Sequence, residues 1–318
     1  ELGRIDLAGH VDGEDVTILD PASRPTSAGA SKTKKIALGA GLGLMLGLML
    51  SAGIDWADKT IRSVEEIQQA LNLPVLGVIP VVDFKDIPEY HDFEKAKHID
   101  RQLVTHDYSP TPIGEAYRAL RTQILFSKKR ERIHTLVITS VGPEDGKSFT
   151  SSNLAIIFAQ QRTNTLLVDA DLRRGVLHNT FRMKKEPGLA NYLNGSITLT
   201  EAVQQTHIPN LSFISYGTLM PNPSELLGSL QMQRFLNEVK RKFDLILFDS
   251  PPLEAATDAV VIGTQVDGVA LVVRSGRTHR NLAKEKLEIF STVPANLIGV
   301  ILNGGDSVLA QNYSYYHY

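Results

Sequence analysis

The sequence predicts an α/β fold, a mainly parallel sheet with helices on both faces, preceded by one transmembrane helix. Three observations carry that expectation. Six short runs rich in Val, Ile and Leu follow residue 134, separated by segments long enough for crossover helices. Acidic residues and a Gly-Lys-Ser stand at the ends of several runs, where parallel sheets bind ligands. Finally, Ile36 to Ile54 is a stretch of 19 residues without a charge.

Composition narrows the classes first. With 318 residues, 42% of them hydrophobic and 21% charged, the chain can build one large or two ordinary cores. Its net charge of -2 supplies no general basic field, so nucleic acid is not expected as a partner. There is no cysteine, which excludes disulfides, zinc–thiolate sites and thiol nucleophiles. The 9 histidines show no H-E-x-x-H spacing, and no G-x-S-x-G turn occurs.

In chain order, residues 1–33 contain "VTILDPASRPTSAGASKTKK", a short extended stretch running into a linker. It reads as the tail of something larger that precedes it. Residues 34–55 form the expected membrane helix, since 19 residues at ~1.5 Å each roughly match a ~30 Å hydrocarbon core. Gly39, Gly43 and Gly47 recur every four residues, a face for close helix packing or simply the glycine common in such helices. Lys32, Lys34 and Lys35 before the helix, against Asp55, Asp58, Lys59 and Arg62 after it, place the N-terminus inside by charge count. Residues 56–112 are expected to be a juxtamembrane linker, although "SVEEIQQALNLPVLGVIP" within them resembles a helix entering a strand.

The folded domain is expected over 113–306. It begins with "EAYRALRTQILF", which sets Glu115, Arg118 and Arg121 three apart on one helix side, leaving Ala116, Leu120 and Ile124 for a core. The charged side is either an ordinary solvated face or a contact surface. The strand runs follow as "TLVITS", "TLLVDAD", "LSFISYG", "DLILFDS", "GVALVVRS" and "NLIGVILN", continuous apolar runs of the kind buried on both faces of a parallel sheet.

After the first run comes "SVGPEDGKSF". Gly146, Lys147 and Ser148 at a strand-to-helix junction offer backbone N–H groups, a cation and a hydroxyl, which suit a nucleotide phosphate and Mg2+. The strict G-x-x-x-x-G-K-[ST] pattern is broken by Val141, and Glu144 and Asp145 bring two carboxylates into an anion-receiving loop. Asp169 and Asp171 lie two apart and point the same way if their strand continues. Asp249 ends an apolar strand, where a carboxylate has little structural reason to be. Together these acids supply what Mg2+ and a hydroxyl acceptor of a phosphoryl group require. The chain ends "QNYSYYHY", with Tyr313, Tyr315, Tyr316 and Tyr318 at a terminus ill suited to burying rings.

The order "EAYRALRT", "DGKSF", "LLVDADLRR", "NPSELL", "LILFDSPP", "GVILN", with the membrane helix before it and the tyrosines behind, closely resembles the bacterial tyrosine kinases of the Wzc-like polysaccharide co-polymerase family. The resemblance implies a P-loop, partition-ATPase-like fold using ATP and Mg2+. It gives catalytic roles to Lys147, Asp169 and Asp171, and nucleotide contacts to Gly146, Lys147, Ser148, Phe149 and, at the adenine base, Asn303. Metal binding falls to Ser148, Asp171 and Asp249. The resemblance makes the 307–318 tail the phosphoacceptor, offered to a neighbouring subunit, and assigns Glu115, Arg118 and Arg121 to ring assembly. It implies a bacterial inner-membrane protein with a cytoplasmic kinase domain and residues before the helix in the periplasm, which overrules the charge count. Expected partners are copies of the chain, the membrane, polysaccharide polymerisation and export machinery and a protein-tyrosine phosphatase. Two other readings share these residues: a partition-type ATPase switch, and a structural co-polymerase with a degenerate nucleotide site. The departures are Glu144 in place of a frequent glycine, Phe149 in place of a small hydroxylic residue, and Gly175 in place of a common proline.

Overall fold

The computed structural model describes residues 32–82, 100–106, 111–127 and 133–306. The chain divides into two units, residues 1–58 and 59–318. In the first unit the described element is helix α1 (Lys32–Ala57), whose Lys32–Ser51 portion is long and apolar enough to cross a membrane. Ile36, Leu42, Leu44 and Leu48 of α1 are all more than half exposed. Apolar side chains all round a helix have no amphipathic face to lay on a core.

The second unit is built on one eight-stranded sheet. Its strands are β1 (Val75–Pro80), β2 (Thr135–Ser140), β3 (Thr165–Asp169), β4 (Gln204–Gln205), β5 (Leu211–Ile214), β6 (Leu245–Asp249), β7 (Gly268–Arg274) and β8 (Leu297–Gly305), in the spatial order β1-β8-β7-β2-β6-β3-β5-β4. Every pairing is parallel except β4 with β5. Strands β2, β3 and β6 are buried along their whole length, as strands covered on both faces must be. Side chains alternate between two cores: Val137, Val168 and Phe248 enter one, Ile138, Leu167 and Leu247 the other.

The second of those cores is closed by α3 (Pro112–Phe126) and α4 (Lys147–Gln160), through Tyr117, Leu120, Ile124, Leu154 and Ile157. Between β3 and β4 lie the short helices α5 (Leu177–Thr180), α6 (Leu189–Leu193) and α7 (Leu199–Ala202). The first core is closed by α2 (Val64–Leu71) and by helices among which are α8 (Pro223–Leu227), α9 (Leu230–Lys240), α10 (Asp258–Gly263) and α11 (Arg280–Leu287), through Ile67, Leu227, Phe235, Ala259 and Ala283. Thr111 caps α3, its hydroxyl accepting from the Gly114 N–H at 3.1 Å, with Pro112 in the first turn.

One boundary differs from expectation. Residues 56–112 are not a linker throughout: Ile67 of α2 is fully buried, and β1 is an edge strand paired with β8 from Val75↔Val300 to Pro80↔Gly305. Few apolar residues over 83–112 concealed that the preceding stretch completes the sheet. The segments 1–31, 83–99 and 307–318, with all four tail tyrosines, lie outside the described residues.

Candidate active site

The strand order determines which loops meet. β6 lies between β2 and β3, and Asp169 pairs in register with Asp249. The loop after β2, the tip of β3 and the tip of β6 are therefore neighbours at the carboxyl edge. Asp169 and Asp249 are fully buried and Asp171 nearly so. Asp171 stands beyond the end of β3, and its Oδ1 accepts from the N–H groups of Arg174 at 2.9 Å and Arg173 at 3.3 Å.

Lys147, the first residue of α4, joins these acids. Its Nζ lies 3.5 Å from Asp171 Oδ2, 3.7 Å from Asp249 Oδ2 and 3.0 Å from Ser148 Oγ. The Ser148 hydroxyl donates to Asp249 Oδ2 at 2.6 Å, and the Ser151 hydroxyl donates to Asp249 Oδ1 at 3.0 Å. Burial alone would lower the Lys147 pKa, but the charges of Asp249, Asp171 and Asp169 outweigh it and hold the ammonium above its usual value. Asp169 is pushed well above the usual carboxylate range by burial and by Asp249. Its Oδ2 accepts from the Leu177 N–H at 3.1 Å, while its buried Oδ1 has no hydrogen-bond partner. Burial also raises Asp249, against the pull of Lys147.

Among the described residues no three His, Cys, Asp or Glu side chains form a metal cage. The oxygen-only set of Ser148, Asp171 and Asp249, with an orphaned carboxylate oxygen on Asp169 beside it, nevertheless fits Mg2+, which keeps waters and shares substrate phosphates.

Both of the loop's extra carboxylates have partners. Asp145 is turned inward and buried, Oδ2 accepting from the Gly142 N–H at 2.8 Å and Oδ1 from the Thr278 hydroxyl at 3.1 Å. Burial raises its pKa, opposed by those hydrogen bonds. Glu144 points outward to Arg277, 2.7 Å away. The Glu144 carboxylate is thus already paired with a cation at the surface. Glu144 does hold a left-handed φ of 62°, which a glycine would adopt more easily.

Asn303 on β8 donates from Nδ2 to the Asp145 carbonyl at 2.9 Å. Asn303, Phe149 and Gly146 line a cavity of ≈ 590 Å³ together with Val81, Val82 and Arg274, next to the phosphate-type loop. Its size suits a nucleoside. Glu115 and Arg118 pair with each other on α3, on the side away from Tyr117 and Leu120, and Arg121 is on the same helix. That helix reaches the site side of α4 through, among other contacts, the edge-on approach of Tyr117 to Phe149.

Two contributors, Arg173 and Asp258, were missed in the sequence. Arg173 makes a two-pronged ion pair with the fully buried Asp258, at 2.9 and 3.2 Å, and also donates to Ser224 Oγ at 3.0 Å, so the Asp171 loop is fastened to α8 and α10. The "DLRR" run could have flagged Arg173, but Asp258 had no local signal. Gly175, read in the sequence as a departure from a common proline, has a steric reason: a Cβ there would lie 2.4 Å from Tyr216 and 2.6 and 2.7 Å from the Asp169 oxygens.

Comparison with known proteins agrees with this geometry. A family model described as an AAA domain matches residues 141–274, from the loop after β2 to the end of β7. The chain is 36% identical over 302 residues to tyrosine-protein kinase ptk of Acinetobacter johnsonii, covering 94% of this chain but 40% of that protein. It is 37% identical over 222 residues to tyrosine-protein kinase YwqD of Bacillus subtilis, covering 70% of this chain and 94% of that one. The solved kinase domain of the Escherichia coli tyrosine kinase ETK superposes with a TM-score of 0.72 at 32% identity, over 77% of this chain and 95% of that domain. The chain thus spans less than half of one relative and nearly matches another from end to end. With 36–37% identity to these kinases and a kinase-domain fold shared at a TM-score of 0.72, the chain belongs to the bacterial tyrosine-protein kinases.

Proposed function

We propose that this chain is the membrane-anchored catalytic part of a protein-tyrosine autokinase. It transfers the γ-phosphoryl group of ATP to one or more of Tyr313, Tyr315, Tyr316 and Tyr318 on a neighbouring subunit. The observation that carries the reading is Lys147 at the start of α4, its ammonium 3.5 and 3.7 Å from Asp171 and Asp249.

The backbone N–H groups of the loop after β2 and the N-terminus of α4 cradle the phosphates, and Lys147 offsets their charge. Ser148, Asp171 and Asp249 hold Mg2+, which when bound spreads the charge of the transferring phosphoryl group. Asp169 and Asp171 orient the tyrosine hydroxyl and take its proton, and burial raises the basicity of Asp169 for that task. Phe149 and Asn303 bound the space for the base.

Ring assembly through Glu115, Arg118 and Arg121 brings one subunit's tail to the next site. Helix α1 holds the kinase unit at the inner membrane, on the cytoplasmic side where ATP is, with residues before the helix in the periplasm. The wider role is control of capsule or exopolysaccharide polymerisation and export, with a protein-tyrosine phosphatase resetting the tail.

Intact-mass spectrometry with Mg-ATP tests this on the whole chain, beside Lys147→Met and a form lacking the last eight residues. Phosphate-sized mass gains in the parent alone are expected. Nucleotide binding without any mass gain would overturn the kinase reading in favour of an ATPase switch or a degenerate site.

A further inference from the structure

Helix α1 ends at Ala57, and the kinase unit starts two residues later at Lys59. From that point the chain is stitched to the turn after β7. Thr60 bridges His279 in antiparallel fashion. The Ile61 N–H donates to the Thr278 carbonyl at 2.9 Å, the Gly276 N–H to the Ile61 carbonyl at 2.8 Å, and the Arg280 N–H to the Lys59 carbonyl at 2.9 Å. The Ile61 side chain is wholly buried.

The same turn grips the nucleotide loop. Thr278, itself 4% exposed, accepts the Arg274 N–H on its hydroxyl oxygen at 2.8 Å and donates the hydroxyl proton to Asp145 at 3.1 Å. Arg274 donates to the Glu144 carbonyl at 2.9 Å, and Arg277 pairs with the Glu144 carboxylate. Asp145 in turn holds Gly142 by its side chain and Asn303 by its carbonyl. Gly146 and Lys147 follow directly. Two successive loop residues, Glu144 and Asp145, are thereby hung on the turn that also docks the first residues after α1.

We propose that Thr278 is a positioning residue that couples the docking of Lys59–Ile61, where the chain enters from α1, to the shape of the nucleotide loop. This rests on the nucleotide reading of that loop. Two sites that share one turn bias each other reciprocally: a nucleotide that orders residues 142–147 steadies the 276–280 turn, and through it the Ile61 and Gly276 hydrogen bonds. Conversely, a pull that undocks Lys59–Ile61 loosens the turn and withdraws Thr278 from Asp145. The buried Asp145 carboxylate makes the link stiff, because losing a buried hydrogen-bond partner is unfavourable.

Hydrogen exchange at the Ile61 and Gly276 amides of the whole chain in detergent, with and without Mg-ATP, tests the link beside nucleotide affinity by calorimetry. Thr278→Val keeps the shape and deletes the hydroxyl, and Thr278→Ser restores it. We expect Mg-ATP to slow exchange at both amides in the parent and the serine variant. The valine variant should lose that difference and bind ATP about tenfold more weakly. A merely structural hydroxyl would lower the melting temperature and leave the nucleotide-dependent protection in place, which would overturn the proposal. ATP that binds the parent without slowing either amide overturns the coupling alone. A parent that binds no ATP overturns the nucleotide reading and the coupling with it.

Discussion

Three carboxylates and one ammonium share the floor of the site, and their imbalance is the property most open to test at single residues. Asp169 is buried, close to Asp249 and raised in pKa. An acid raised in the fold binds more protons folded than unfolded between its two pKa values, so stability falls as pH rises through that window and stays lower above it. Asp169→Asn removes this cost. It is expected to abolish phosphotransfer yet stabilise the fold at neutral pH by about 1 kcal/mol, with the gain shrinking as pH falls toward about 4. Thermal unfolding across pH measures the trend, and a destabilised variant at neutral pH would contradict it. Gly175→Ala forces a methyl against Asp169 and Tyr216, so activity should drop with a stability loss of about 1–3 kcal/mol, read by denaturant titration.

At the scale of elements, the site is a meeting of strand ends and helix starts, each fastened by a contact distant in sequence. The Asp171 loop depends on Arg173 reaching Asp258 at the start of α10, with Ser224 of α8 hydrogen-bonded to the same carboxylate. Asp258→Ala leaves the guanidinium without its buried partner. The expected result is a loss of about 3 kcal/mol in unfolding free energy and a higher KM for ATP, both measurable on one preparation. Helix α3 is a more local case. Thr111→Ala removes its cap and should lower stability by about 1 kcal/mol without changing ATP affinity, since the cap lies at the start of α3 and Thr111 does not line the cavity.

At the scale of the molecule, the proposed acceptors and the site lie far apart in sequence. The tyrosines close the sequence, whereas the acids sit at the tips of β3 and β6 in the middle of the sheet. An active chain without its last eight residues should therefore phosphorylate a Lys147→Met chain that keeps its tail, although neither gains phosphate alone. Mixing the two and weighing each by intact mass decides the matter: no transfer in the mixture would exclude exchange between subunits. Reversing the charges of Glu115 and Arg118 together with Arg121 should lower transfer in the mixture while leaving ATP affinity unchanged, checked by sedimentation and calorimetry.

Much of this was legible in the sequence because its causes are local. Continuous apolar runs announce strands buried on both faces, a charge-free stretch announces α1, and a lysine and serine after a glycine announce the loop at the start of α4. Linear order could not show that β6 inserts between β2 and β3, which is what sets Asp249 beside Asp169 and both within reach of Lys147's charge. Nor could it orient Asp145 inward and Glu144 outward, since that choice depends on Thr278 and Arg277, 133 residues further along the chain in each case. The strand at the end of "SVEEIQQALNLPVLGVIP" was legible, but its place in the sheet was not, because its partner β8 is contributed by the other end of the fold. The sequence by itself determined the element types and the chemical groups at the site, because propensity and polarity act over a few residues. Tertiary structure alone decided strand order, the direction of each loop carboxylate and the pKa shifts, because pairing, burial and Coulomb energy depend on neighbours in space rather than in sequence.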